Sequence, residues 1–219
     1  KERGVPVVVV GTGSNMVWSD RVHDIFLLHN TIAGFDVIDE DDTSTTVLVG
    51  AGENWDIAVA RCVELGLAGI EAMSAIPGTV GATPVQNVGA YGQEIKDTLV
   101  YVEVYDTQTD EFKKLSNDEC HFRYRDSIFK TEEKGRYIIT RVAMKLSKLP
   151  PMQPRYPAVV SYFQEKGISN PTLEEIRSAI VSIRASKLPD PTLVPNCGSF
   201  FENALVTTIK AEELKIQFP

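Results

Sequence analysis

Tyr124, Arg125, Asp126 and Ser127 set a phenol, a guanidinium, a carboxylate and a hydroxyl in four consecutive positions. That set suits an oxyanion site, with the guanidinium fork on the anion and Asp126 or a neighbour fixing the fork. A purely structural ion pair explains the same residues equally well. Asn196-Cys197-Gly198-Ser199-Phe200-Phe201-Glu202-Asn203 puts a serine after a glycine and beside two aromatic rings. Ser199 there is either a turn residue, the plainer reading, or a proton donor in a dry pocket. It is no hydrolase nucleophile, because Phe201 stands where a nucleophile elbow needs glycine.

Two glycine-rich segments supply the other chemistry. Gly11-Thr12-Gly13-Ser14-Asn15 can converge its backbone N–H groups on an anion, or be a plain turn. A Rossmann fingerprint is excluded, since Met16 replaces the third glycine and no helix pattern follows. The 17 residues from Ile76 to Gly92 carry four glycines, two prolines and no charge. A solvated surface loop would not be so apolar, whereas a segment that must approach a pyrophosphate and a flat ring closely would be.

Several elements must position these residues. The run Val5–Val10 reads as a buried strand leading into the first glycine turn, followed by strands at Ile25–Leu28, Gly34–Ile38 and Thr45–Val49. Asp39-Glu40-Asp41-Asp42 reads as a solvated hairpin turn. Asn54 can cap a helix over Trp55–Leu65 that Gly66 ends. Strands resume at Leu99–Tyr105 and Tyr137–Leu146, with a turn over Thr107–Asp110. Pro150, Pro151, Pro154 and Pro157 mark a stiff linker and a domain boundary. Beyond it, Thr172 and Glu175 form a capping box for a helix with Ile176, Ile180 and Ile183 on one face, and a last helix spans roughly Thr208–Gln217.

The composition narrows the partners. A net charge of −8 without a basic cluster argues against nucleic acid and anionic membranes, and no apolar run approaches the ~20 residues of a membrane span. Cys62, Cys120 and Cys197 are odd in number and widely spaced, which points to reduced thiols in a cytoplasmic compartment and to no metal site. A small-molecule ligand and a monomer are expected.

Five motifs carry a resemblance: GTGSN at Gly11, GAGENW at Gly50, IPGTVGATPVQNVGAYG at Ile76, YRDSIFK at Tyr124, and KLPDP with CGSFFEN from Lys187 onward. Their order and spacing make the chain similar to the UDP-N-acetylmuramate dehydrogenase family, also called UDP-N-acetylenolpyruvoylglucosamine reductase. The resemblance implies an α+β fold: a two-subdomain FAD-binding region of the vanillyl-alcohol-oxidase (PCMH-type) kind over 1–150, dividing near residue 72, and a partial α+β substrate domain with a tyrosine loop over 151–219. It implies NADPH-dependent, FAD-mediated reduction of UDP-N-acetylglucosamine enolpyruvate to UDP-N-acetylmuramate, in peptidoglycan synthesis. Gly11, Thr12, Gly13, Ser14, Asn15, Ile76, Pro77, Gly78, Gly81, Ala82, Thr83, Val85, Gln86, Gly89 and Tyr91 match cofactor-binding positions, and the strand from Tyr137 to Val142 matches another flavin-lining stretch. Arg125 matches the stabilising arginine and Ser199 the proton donor. Tyr124, Tyr156, Arg184, Lys187 and Asn203 match substrate-binding positions.

The chain departs from the family in three ways. Ala82 stands where a serine commonly bonds the cofactor, so that contact is either lost or taken over by Thr83, and Glu202 stands where a lysine is common. The family also continues past Pro219 and supplies a late glutamate, so a fragment lacking both ends, with impaired turnover, is expected. Two other classes stay open: another FAD oxidoreductase of this fold, and a flavin- or nucleotide-sugar-binding protein without turnover.

Overall fold

The computed structural model describes residues 4–21, 24–189, 193, 194, 196, 198 and 203–218. Strand β1 (Val7–Val10) lies parallel to β2 (Phe26–His29), with Val7 opposite Phe26, and runs directly into the first glycine turn. β3 (Phe35–Glu40) and β4 (Ser44–Gly50) form a hairpin around Asp41, whose carboxylate accepts the backbone N–H groups of Thr43 at 2.7 Å and Ser44 at 2.8 Å. The expected acidic turn therefore starts two residues late. Asp39 and Glu40 complete β3 opposite Thr46 and Thr45.

β4 is buried along its whole length because it is an inner strand of a five-stranded antiparallel sheet. Its other neighbour is β9 (Tyr137–Ser147), which pairs in turn with β7 (Leu99–Asp106), and β8 (Glu111–Ser116) closes the edge. β8 went unforeseen, since Lys113 and Lys114 interrupt its apolar pattern and only Leu115 is buried, as befits a charged edge strand. The sheet takes strands from both sides of residue 72, so the two expected subdomains share one sheet and one core.

Helix α1 (Trp55–Glu64) covers this sheet with Trp55, Val59, Cys62 and Val63. Asn54 caps it by accepting the Ile57 N–H at 3.0 Å, and Gly66, at φ +71°, turns the chain away as expected. The buried Trp55 indole donates to the Met73 carbonyl at 3.0 Å and so fixes the approach to the second glycine-rich segment.

A smaller core forms where α2 (Pro157–Glu165) packs Val159 and Phe163 against Ile176, Ala179, Ile180 and Ile183 of α3 (Leu173–Lys187). The α3 capping box is present: Thr172 Oγ1 accepts the Glu175 N–H at 3.2 Å, and the Glu175 carboxylate accepts the Thr172 N–H at 2.8 Å. α2 corrects the sequence expectation of an extended stretch through Pro157. Tyr156 is its N-cap and Pro157 its first residue, where a proline's missing N–H removes no helical bond.

α3 is fastened to the larger body by Asp56, which binds Arg177 through two hydrogen bonds of 2.6 and 3.0 Å and accepts the Ala75 N–H at 2.6 Å. Arg184 completes the clamp by donating its Nε–H to the Ala75 carbonyl at 3.2 Å. α4 (Thr208–Gln217) buries none of its residues. Among the described residues no helix is long and apolar enough to cross a membrane.

Candidate functional site

The two glycine-rich segments meet. A Cβ on Gly11 would fall 2.6 Å from Thr79 Oγ1, and one on Gly78 would fall 3.4 Å from Ser14 Oγ. Asn15 also donates to the Gln86 side chain at 3.3 Å. Gly81 packs so closely on the Gly50-Ala51 turn that its Cβ would lie 2.5 Å from that of Ala51. These close approaches leave two amide-rich turns side by side, with Gly11 and Gly78 free of side chains. The arrangement fits the pyrophosphate and ring of a dinucleotide cofactor.

Not every matched residue has a side chain free for a ligand. Thr83 is buried, and its hydroxyl donates to the Val80 carbonyl at 2.8 Å, so as donor it does not replace the serine absent at Ala82. The Val85 carbonyl accepts from Ser127 Oγ at 2.6 Å. Ile76 and Val85 rest against the larger core. Pro77 and Ala82 are exposed.

The far end of the same segment borders a cavity of about 630 Å³, lined by Gly89, Tyr91, Tyr124, Arg125, Tyr156, Arg184, Lys187 and Asn203, together with Gln93, Glu94, Lys96 and Asp97. All five candidate substrate residues and Arg125 thus converge from positions up to 79 apart in the chain. The cavity collects the cations Lys96, Arg125, Arg184 and Lys187 against the anions Glu94 and Asp97, which suits an anionic ligand in a protein of net charge −8. Tyr91 and Tyr156 meet edge to face with ring centroids 5.1 Å apart. The Arg125 guanidinium lies 5.1 Å from the Tyr124 ring centroid.

Arg125 is seated by main chain. Its Nη2 donates to the Gly89 carbonyl at 2.6 Å and its Nη1 to the Asn87 carbonyl at 3.3 Å. Of the two expected readings of Asp126, fixing this fork or forming a structural ion pair, the structure contains the second. Asp126 pairs with Arg123 at 2.8 Å, and Arg123 also reaches Glu132 at 2.8 Å, so the structural ion pair belongs to Arg123. Asn87, Tyr91 and Arg125 all hold left-handed backbone, at φ of +45°, +50° and +53°. Such conformations are costly for residues with side chains and gather where a ligand is held. Buried Asn87 secures the loop by donating to the Arg123 carbonyl at 3.0 Å and accepting the Lys96 N–H at 3.2 Å.

Ser199, Cys197 and Glu202 lie outside the described residues. Burial pushes the thiols of Cys62 and Cys120 up to about 12, which removes both as nucleophiles near neutral pH. Among the described residues no group of His, Cys, Asp and Glu can hold a metal ion. The wall from Gln93 to Asp97 lies past the Gly92 end of the glycine-rich segment and outside the five motifs. Its signal was three charges in four positions directly after an uncharged segment.

Residues 1–116 match the family described as FAD binding domain. The chain is 42% identical over 218 residues to a UDP-N-acetylenolpyruvoylglucosamine reductase of Pseudomonas syringae pv. tomato, covering 100% of this chain and 64% of that protein. It is 42% identical over 212 residues to one of Flavobacterium johnsoniae, covering 96% of this chain and 63% of that protein. It therefore spans just under two thirds of the length of these relatives. The crystal structure of UDP-N-acetylenolpyruvylglucosamine reductase from Thermus caldophilus shares the fold at a TM-score of 0.65 and 23% identity, covering 97% of this chain and 67% of that one. With an α+β body, two apposed amide-rich turns and a family match over more than half its length, the chain belongs to the FAD-binding domain family.

Proposed function

We propose that the protein reduces the enolpyruvyl ether of UDP-N-acetylglucosamine enolpyruvate to the lactyl ether of UDP-N-acetylmuramate, with NADPH as donor. The observation that carries this reading is the cavity in which Arg125, Tyr124, Tyr156, Arg184, Lys187 and Asn203 meet beside the Ile76–Gly92 segment. In this reading residues 1–150 hold FAD and 151–219 contribute to the substrate site. When bound, FAD would supply the hydride-transfer chemistry between NADPH and the alkene.

Hydride addition at the vinyl terminus leaves negative charge on the carbon bearing the ether oxygen and on its carboxylate. Arg125, already oriented by the Asn87 and Gly89 carbonyls, stabilises that charge without further reorganisation. Ser199 gives its hydroxyl proton to the ether-bearing carbon. Arg184 and Lys187, on the last turn of α3, take the diphosphate. Tyr124 and Tyr156 shield the pocket from water. A cytoplasmic monomer is the setting we infer, and the buried free thiols of Cys62 and Cys120 agree with a reducing compartment.

The test is anaerobic absorption spectroscopy of the yellow protein, with a flavin band near ~450 nm. We expect NADPH to bleach the band and the enolpyruvyl nucleotide to restore it. Arg125→Lys should slow the restoration by about 100-fold while leaving the bleaching intact. A band that NADPH bleaches and the nucleotide fails to restore overturns the reading.

A further inference from the structure

Glu94 and Lys96 line the same cavity as Arg125, and neither is among the residues assigned to cofactor or substrate. The short strands β5 (Gly89–Ala90) and β6 (Gln93–Glu94) set Glu94 opposite Gly89. Because Gly89 lacks a Cβ, which would lie 2.7 Å from Glu94 Cγ, the Glu94 stem passes across it toward Arg125. The carboxylate is then shared by two cations, with Oε1 3.6 Å from Arg125 Nη1 and Oε2 2.5 Å from Lys96 Nζ.

Each member is also held through the main chain. The Lys96 N–H donates to Asn87 Oδ1 at 3.2 Å, and the Glu94 N–H to Asp97 Oδ2 at 2.9 Å. The three side chains are between 22% and 40% exposed, so water screens them only in part. Charge then decides the outcome. Arg125 with Glu94 alone is neutral and attracts an anion weakly; with Asp97 beside Lys96, the cavity's four cations exceed its two anions by two, and Lys96 supplies half of that excess. Glu94 at Nη1 also adds an anchor to a guanidinium otherwise fixed by two carbonyls.

We propose that Glu94 is a positioning residue for Arg125 and that Lys96 supplies the counter-charge that keeps this pair attractive to an anionic ligand. The proposal rests on Arg125 as the anion-stabilising group of the reading above. Its test measures, on FAD-loaded protein, the affinity for inorganic diphosphate and for the enolpyruvyl nucleotide by calorimetry, together with the rate of flavin reoxidation. Lys96→Met should weaken diphosphate binding roughly threefold and Lys96→Arg should restore it. Glu94→Gln should tighten diphosphate binding roughly threefold yet slow reoxidation by the nucleotide about tenfold. Both affinity shifts should fade at ~0.5 M salt.

Shifts of the same sign, no shift in either variant, or unimpaired reoxidation in Glu94→Gln overturns the proposal. Opposite shifts with diphosphate in a protein whose flavin the nucleotide never reoxidises would instead support the charge arrangement and sink the proposed reaction.

Discussion

At Gly89 a single absent carbon decides how Arg125 is seated. A Cβ there would lie 2.6 Å from the Gln93 carbonyl and 3.0 Å from Arg125 Nη1, and neither the backbone nor the doubly anchored guanidinium can yield cheaply. Gly89→Ala is expected to cost about 1–3 kcal/mol in thermal unfolding and to slow flavin reoxidation more than Glu94→Gln does. Arg123 gives a pH prediction. Its hydrogen bonds, with help from Thr131, hold the Glu132 carboxyl down to about 2 against an ordinary 4.5. A group lowered in the folded state stabilises fully above its unfolded value, and this contribution disappears as pH falls from 4.5 toward 2. Glu132→Gln should flatten the acid side of the stability curve over that window, as measured by urea unfolding at stepped pH. Adjacent residues with like chemistry limited what the sequence revealed here. Arg123 and Arg125 flank the same tyrosine, and only the left-handed turn at Arg125 sends one guanidinium into the cavity and the other to Asp126.

Helix α3 shows how much an element's sequence can reveal. Its capping box, its isoleucine face and its end before Pro189 are local features, and the structure contains all three. Thr172→Ala should cost about 1 kcal/mol, since one N-terminal amide loses its acceptor. Helix α2 stayed hidden because its proline at the first position belongs to a proline-rich run that reads as a linker. β8 stayed hidden because an edge strand needs little apolar alternation. The clamp between α1 and α3 was also unreadable, because Asp56 and Arg177 stand 121 residues apart. Burial raises the Asp56 carboxyl, but the Arg177 hydrogen bonds, the Ala75 N–H and the charges of Arg177 and Arg184 more than offset it and leave it below its ordinary value. Asp56→Asn should therefore lose roughly 1–2 kcal/mol at pH 7, and this deficit should shrink as acid protonates the parent carboxylate.

Across the whole molecule, the cavity is the product of two cores brought together. Tyr91, from the glycine-rich segment, packs against the α2–α3 core, while Ile76 and Val85 of that segment rest on the larger one. Composition and motifs pointed to the cavity's contents, but its existence depends on tertiary contacts between residues 89 and 203 that no periodicity encodes. Ile180, 1% exposed, lies in the smaller core, and Ile180→Ala should cost about 2–4 kcal/mol there. Diphosphate affinity should fall with it, while flavin uptake at the site proposed on the larger core is spared. The parallel pair β1–β2 has a further consequence. Among the described residues it is two strands wide, leaves Val7, Val9, Phe26 and Leu27 substantially exposed, and carries the Gly11–Asn15 turn at its end. Such a ribbon is marginal by itself, so any ligand gripping that turn is thermodynamically linked to the ribbon's folding. With FAD held there as proposed, each tenfold rise in free FAD above its dissociation constant adds about 1.4 kcal/mol to the ribbon's resistance to opening, so its amides should exchange with solvent deuterium at a rate set by flavin concentration. A ligand held at that turn would thereby act as a folding partner of the N-terminal strands.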